Sequence, residues 1–258
     1  MKAVILAGGY GTRLAEETTI RPKPMVEIGG MPILWHIMKI YSHWGINDFI
    51  VCCGYKGYMI KEFFANYHLR TCDLRVDMRR GRTEVIGSPA EPWTVALMDT
   101  GEKSGTGGRL RRVRDLVGNE TFCFTYGDGV SNVNIRESIA FHKQQGVQAT
   151  LTAVQPPGRF GAFDLPDKET HVRWFKEKHA GEQTWVNGGF FVLEPSVFDS
   201  ISGDPVMWEA EPMESMAARG QLAAFKQSGF WRCMDHLSDK VHLEELWASG
   251  KAPWRLWP

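Results

Sequence analysis

The first 24 residues constrain this chain more than any other stretch. Lys2-Ala3-Val4-Ile5-Leu6-Ala7 is an apolar run of strand length, and it empties at once into Gly8-Gly9-Tyr10-Gly11-Thr12-Arg13-Leu14. A buried strand that leads through a glycine-rich loop into a helix exposes free backbone N–H groups, and glycines keep side chains out of the path of an approaching anion. Arg13 adds a forked cation, and Lys23, within Arg21-Pro22-Lys23-Pro24, adds a point charge. On residues alone the stretch is either a phosphate-approaching loop or a tight strand-to-helix turn with a surface arginine. Two familiar loops do not fit. No Lys-Ser/Thr follows the glycines, as a P-loop requires, and Leu14 stands where a dinucleotide fingerprint has its third glycine.

The chain continues in strand–helix alternation. Pro32 to Tyr41 reads as a helix, Asp48 to Cys53 as a second buried strand, and Lys56 to Tyr67 as another amphipathic helix. This order argues for a parallel sheet wrapped by helices. Residues 71–98 interleave polar and apolar side chains around Val76, Val85-Ile86 and Val95-Ala96-Leu97, which suggests antiparallel or mixed strands. Further on, Ile135 to Gln145 and Leu237 to Trp247 read as helices, and Ala149 to Val154 and Asn187 to Leu193 as strands. Ala223-Ala224-Phe225 reads as a last strand that Phe230 to His236 brings to an end.

Three further places carry chemistry. Asp99 to Leu110 is a second glycine-rich loop with Ser104 and Arg109, either a linker or a second wall of a ligand pocket. Thr121 to Tyr126 is an apolar strand ending in Gly127-Asp128-Gly129. Asp128 could simply begin a turn, or its carboxylate could hold a hard cation at the strand's carboxyl end, where open α/β sheets bind ligands. Lys176-Glu177-Lys178-His179 reads most simply as a solvated edge, and Phe160 either floors a sugar or packs its own loop.

Length and composition narrow the field. A chain of 258 residues with no repeat or linker is expected to form one domain over 1–258. Thirty basic residues balance thirty acidic ones, so no overall field favours nucleic acid or an anionic membrane, and any anion site must be local. Five cysteines without a Cys-x-x-Cys suggest free thiols and a reducing cytoplasm rather than a disulfide framework or zinc. No segment reaches membrane-spanning length.

The Leu-Ala-Gly-Gly-x-Gly-Thr-Arg-Leu run at 6–14, followed by Pro-Lys-Pro at 22–24, resembles the signature of sugar-phosphate nucleotidyltransferases. Met25 to Gly30, Pro32 to Lys39, Cys52 to Tyr58, Thr106 to Leu110, Thr125 to Val130 and Asn187 to Leu193 are similar to segments of glucose-1-phosphate cytidylyltransferases in particular. The resemblance spans the chain. It implies a Rossmann-like mixed, mainly parallel α/β sheet flanked by helices, with small β insertions for sugar binding. It implies CTP and a sugar 1-phosphate as substrates, with uridylyl, thymidylyl or other-acceptor chemistry as the alternative, and a non-catalytic sugar-nucleotide-binding protein as a more distant one. Leu6, Ala7, Gly8, Gly9, Gly11, Thr12, Arg13, Lys23, Ser104, Arg109 and Asp128 would face the nucleotide. Tyr126, Gly127, Glu177, Lys178, Asn187 and Gly188 would face the sugar phosphate. Arg13, Lys23 and Asp128 would be catalytic, and Asp128 with Asp235 would hold Mg²⁺. A homo-oligomer, a hexamer by analogy, is also implied. Three positions depart from the pattern: His179 stands for a proline, Cys233 for a proline and His236 for a threonine. Either they are neutral variation or they mark a changed acceptor or metal site, with His236 near enough to bind metal or tune Asp235.

Overall fold

In a computed structural model the described residues are 1–87, 91–156, 162–164, 174–176 and 185–258. Phe160, Glu177, Lys178 and His179 lie outside them. Seven strands form the central sheet: β1 (Lys2–Ala7), β2 (Asp48–Cys53), β3 (Thr94–Asp99), β4 (Phe122–Tyr126), β5 (Ala149–Val154), β6 (Val186–Leu193) and β7 (Leu222–Gln227). Their spatial order is β7-β5-β6-β4-β1-β2-β3. Every neighbouring pair is parallel except the two that β6 makes, with β4 and with β5. The sheet is therefore mixed and mainly parallel, as expected. Residues 71–98 form mixed strands, one of the two arrangements expected. Asp73–Asp77 and Arg82–Ile86 pair as an antiparallel hairpin, but β3 joins the main sheet parallel to β2.

The central strands β1, β2 and β4 are largely apolar because both their faces are covered. On β1 and β2, Ile5, Phe49 and Val51 point into one core, while Val4 and Ile50 point into the other. The first core is roofed by helix α1 (Ile33–His43), which buries Leu34, Ile37, Met38 and Tyr41. Trp254 completes that side, and the tryptophan-rich tail covers an edge of this core. Helix α2 (Gly57–Ala65) ends at Asn66, within two residues of the expected end at Tyr67, and a separate short turn of helix, Tyr67–Thr71, follows it. Helix α3 (Thr106–Arg111) follows the second glycine loop. Helix α4 (Ile135–Gln145) starts where the Asn134 side chain accepts from the Glu137 N–H at 3.1 Å, and it stops at Gly146 with φ 62°. Helix α5 (Glu211–Ala218) precedes β7, and helix α6 (Leu237–Ala248) leads into the C-terminal tail.

Trp231–Cys233 does not end the last strand of the sheet. It forms its own antiparallel ribbon with Gly129–Ser131, the segment directly after Asp128. That pairing brings the two ends of the chain's chemistry together. At sheet level, β1 feeds β2 and β3 on one side while β4 lies on its other side. The crevice at the carboxyl ends of β1 and β4 is thus a topological switch point, where sheets of this kind bind ligands.

Candidate active site

Each cationic and acidic side chain at this crevice is held by its own local structure. Gly11 adopts φ 65°, and a Cβ there would stand 2.7 Å from the Thr18 side chain, so the loop closes only with glycine. The Thr18 hydroxyl ties the turn down by donating to the Gly11 and Leu14 carbonyls. Gly9 has open space on its Cβ side, which leaves the loop's outer face accessible. Pro22 and Pro24 bracket Lys23 in a single 3-10 turn, Lys23–Met25, and restrict the backbone on both sides. The side chain is thereby aimed inward and is only 8% exposed. Gly127 lies against the Leu6 carbonyl, where a Cβ would come within 2.6 Å, so β4 delivers Asp128 tight beside the end of β1.

These groups meet at one point. Lys23 Nζ donates to Asp128 Oδ2 and to Asp235 Oδ1, each at 2.7 Å, and Arg13 Nη1 donates to Asp235 Oδ2 at 2.7 Å. Asp235 reaches this point because the Met234 N–H donates to the Asp128 carbonyl at 2.8 Å, continuing the ribbon. Burial by itself would lower the Lys23 pKa, but the charge of Asp128 and the hydrogen bonds to Asp128 and Asp235 outweigh it and raise it. Burial likewise would raise the pKa of Asp235, yet the hydrogen bond and charge of Lys23 and the charge of Arg13 lower it. Burial, then the charges of Asp235 and Asp128, push the Cys233 thiol up to about 12. Cys233 is therefore a protonated donor toward Asp235 Oδ2, 3.5 Å away, and not a nucleophile.

The cluster's pH dependence follows. A depressed carboxyl stabilises the fold fully above its unfolded value near ~3.9 and loses that contribution as pH falls to its folded value. A raised ammonium stabilises fully below ~10.4 and loses that contribution as pH rises through its folded value. Denaturant unfolding across a pH series should therefore show the cluster's contribution intact at neutral pH and failing at both ends. Asp235→Asn should remove part of the acid limb; an unchanged acid limb would contradict this assignment.

A cavity of about 630 Å³ opens over the cluster. It is lined by Leu6, Ala7, Gly8, Gly9, Gly11, Thr12, Arg13 and Lys23 from the first loop, by Ser104 and Arg109 from the second, and by Tyr126, Gly127, Asp128, Asn187 and Asp235. Gly188 does not line it; with Asn187 it borders a small adjoining pocket, and its carbonyl accepts from Trp231 Nε1 at 2.7 Å. Arg109 lines the cavity, but its guanidinium is engaged in structure. It is 4% exposed and donates to the Gly101 carbonyl at 2.6 Å, the Glu102 carbonyl at 2.9 Å and the Thr100 hydroxyl at 3.1 Å. It shapes the second loop as the wall of a pocket rather than a linker. The same side chain explains two glycines, since a Cβ on Gly8 or Gly54 would collide with Arg109 Nη1. His236 does not line the cavity. It is exposed and precedes α6, its backbone N–H donating to Asp239 at 2.9 Å.

Sequence reasoning missed Glu209 and Trp231, both cavity residues. Glu209 sits in an irregular stretch with no motif to mark it, and Trp231 lay in the segment expected only to end the last strand. The cysteines at 52, 53 and 123 are buried free thiols, as expected of core residues.

Strand-end glycine loops, convergent cations and a pair of carboxylates at a switch point are what a nucleotide-handling site needs. A family model described as nucleotidyl transferase matches residues 2–232. The chain belongs to the nucleotidyl transferase family. Among curated nucleotidyl transferases it is 59% identical over all 258 residues, covering the whole of both chains, to the glucose-1-phosphate cytidylyltransferase of Salmonella typhimurium. It is 41% identical, again over the whole of both, to a probable glucose-1-phosphate cytidylyltransferase of Bacillus subtilis. The same fold is seen in HddC from Yersinia pseudotuberculosis, with TM-score 0.69 at 23% identity over 95% of this chain and 99% of that one. A UDP-glucose pyrophosphorylase solved with UDP-glucose superposes with TM-score 0.69 at 15% identity over 96% and 98% of the two chains.

Proposed function

We propose that this nucleotidyltransferase transfers CMP from CTP to a sugar 1-phosphate, most simply α-D-glucose 1-phosphate, yielding CDP-glucose and pyrophosphate. The observation that carries the reading is the meeting of Arg13, Lys23, Asp128 and Asp235 at one point under the first glycine loop. Full-length identity to glucose-1-phosphate cytidylyltransferases supports the choice of base and sugar.

The chemistry needs positioning and charge, and no protein nucleophile. A phosphate oxygen of the sugar phosphate is already nucleophilic; it forms a bond to the α-phosphorus of CTP as the bond to pyrophosphate breaks. The first glycine loop, open at Gly9, takes the triphosphate, Arg13 stabilises the departing pyrophosphate, and Lys23 neutralises charge around the reacting centre. Glu177, Lys178 and Asn187 address the acceptor. Asp128 and Asp235 offer hard oxygens that both reach 2.7 Å from one ammonium, so they converge on a single point of positive charge, and that donor set suits Mg²⁺. Asp128 and Asp235 would hold the ion, and the chemistry it would supply is neutralisation of phosphate charge. A homo-oligomer in the cytoplasm, a hexamer by analogy, belongs to the same reading; exposed Val76, Met78, Val85 and Ile86 on the 73–86 hairpin suit a subunit contact.

The test is pyrophosphate release with CTP, UTP or dTTP, with glucose 1-phosphate held fixed, then CTP with a panel of sugar 1-phosphates. CTP with glucose 1-phosphate should turn over fastest, and chelating the divalent cation should stop it. Faster release with another sugar phosphate would move the acceptor assignment and implicate Cys233 and His179. Tight CTP binding without release for any acceptor would overturn the reading in favour of a non-catalytic binder.

A further inference from the structure

Glu209 poses an electrostatic problem. It is a carboxylate on the wall of a cavity that, on the reading above, admits two polyanions. Among the described residues both its oxygens accept from hydroxyls rather than from a cation: Oε1 from Tyr126 Oη at 2.5 Å and Oε2 from Thr106 Oγ1 at 2.6 Å. A negative charge in that place is tolerable only where the ligand presents neutral hydrogen-bond donors.

The directions of the hydrogen bonds around it are determined. The Trp208 N–H donates to Thr106 Oγ1 at 2.8 Å, so the Thr106 proton is free to go to Glu209. Trp208 itself is fully buried and anchors the segment. A carboxylate has no proton to give, so the Tyr126 hydroxyl must donate to Glu209. Asn187 is oriented by the Gly189 N–H, which donates to its Oδ1 at 2.8 Å, leaving Nδ2 turned toward Tyr126 Oη, 3.5 Å away. Gly189, at φ 77°, lies flat against the Tyr126 ring, where any Cβ would be 2.6 Å from Cδ2. The ring is therefore held on one side by backbone and at its tip by Glu209.

We infer that Glu209 is a positioning residue for the acceptor half of the cavity, holding Tyr126 with its phenolic proton committed. The Tyr126 oxygen then faces the ligand only as an acceptor, beside the Asn187 amide as a donor. Neighbouring acceptor and donor groups complement the hydroxyls of a sugar, which both give and take a hydrogen bond. The inference rests on the proposed transfer to a sugar phosphate and deepens it by naming a residue that recognises the neutral part of the acceptor.

Steady-state kinetics with CTP and glucose 1-phosphate test it, with calorimetric binding of each substrate alongside. Glu209→Ala should raise KM for glucose 1-phosphate about 10- to 100-fold, as expected for loss of a hydrogen bond to a charged group, with KM for CTP within about twofold. Glu209→Gln, which retains an oxygen to accept from Tyr126, should recover most of that loss. Tyr126→Phe should resemble Glu209→Ala, and the double variant should be no worse than either, because the pair acts as one unit. Glu209 is exposed, so thermal unfolding should stay unchanged. A rise in KM for CTP instead would place Glu209 at the base and overturn the inference. Additive effects in the double variant, or wild-type values throughout, would also overturn it. Wild-type protein that binds both substrates without turnover would count against the proposed reaction alone; calorimetry then reads the same variants, and loss of sugar-phosphate affinity in Glu209→Ala would still support the positioning role.

Discussion

Lys23→Met is expected to lower turnover by about 10²- to 10³-fold, the loss typical when one preorganised donor to a developing charge is removed. The substitution keeps the length of the side chain and deletes only its charge and protons. Among the described residues Lys23 is the single group bonded to both Asp128 and Asp235, and its side chain is 10% exposed, so water cannot replace it cheaply. Arg13 makes a bond of the same length to Asp235, but its side chain is 67% exposed in the free protein, and Arg13→Ala should cost less substrate-free stability. Deleting the ammonium also leaves two carboxylates facing one another, which favours uptake of a cation in its place. Mn²⁺ titrated without nucleotide and followed by electron paramagnetic resonance should therefore bind Lys23→Met more tightly than wild type. Unchanged turnover would remove Lys23 from the catalytic assignment. Weaker Mn²⁺ binding would show that the two carboxylates do not form a cation site.

Trp254→Ala should destabilise the fold by about 3–5 kcal/mol, the range for truncating a large buried aromatic. For a chain of this size that lowers Tm by roughly 10 °C, measurable by thermal unfolding. Trp254 is completely buried, with its ring 5.5 Å from Phe230 and 6.3 Å from Trp247, both near-parallel to it. Its Nε1 donates to His36 Nδ1 at 3.3 Å. Because an indole N–H can only donate, His36 carries its proton on Nε2, which donates to the Ile28 carbonyl at 2.8 Å. Burial holds the His36 pKa down to about 4, so the ring stays neutral at physiological pH and the arrangement is a fixed relay between the chain's tail and the Glu27–Ile28 strand. Trp254→Phe should recover the stacking and lose only the hydrogen bond. A Trp254→Ala protein within a degree or two of wild type would show that the tail does not stabilise the core.

Much of this architecture is legible in the residues because it depends on local pattern. The apolar runs at 2–7, 48–53, 122–126 and 149–154 are strands buried on both faces, and such strands announce themselves without alternation. Helix α4 is bounded by Asn134 and Gly146, a cap at each end. The short helix Tyr67–Thr71 is not legible, since it buries no side chain and so carries no apolar stripe to mark it. Nor is the direction of β3, because alternation marks a half-covered strand and says nothing of its orientation. Arg109 shows the same limit in the site. A basic residue at a loop-to-helix junction suits an anion, yet carbonyl groups of its own loop surround the guanidinium.

By itself the sequence determined that a strand would end in an open glycine loop, that Arg13 and Lys23 would stand beside it, and that an acidic residue would end a second buried strand. Those are consequences of neighbours along the chain: glycine's missing Cβ, the two prolines around Lys23, and the apolar run before Asp128. Tertiary structure alone decided which distant groups share that place. Asp235 joins Lys23 across 212 positions only because Trp231–Cys233 leaves the main sheet to pair with Gly129–Ser131. Glu209 reaches Tyr126 only because Trp208 is buried against the far core. Pairing and burial between segments far apart in the chain follow from the packing of the whole molecule, which no local pattern encodes.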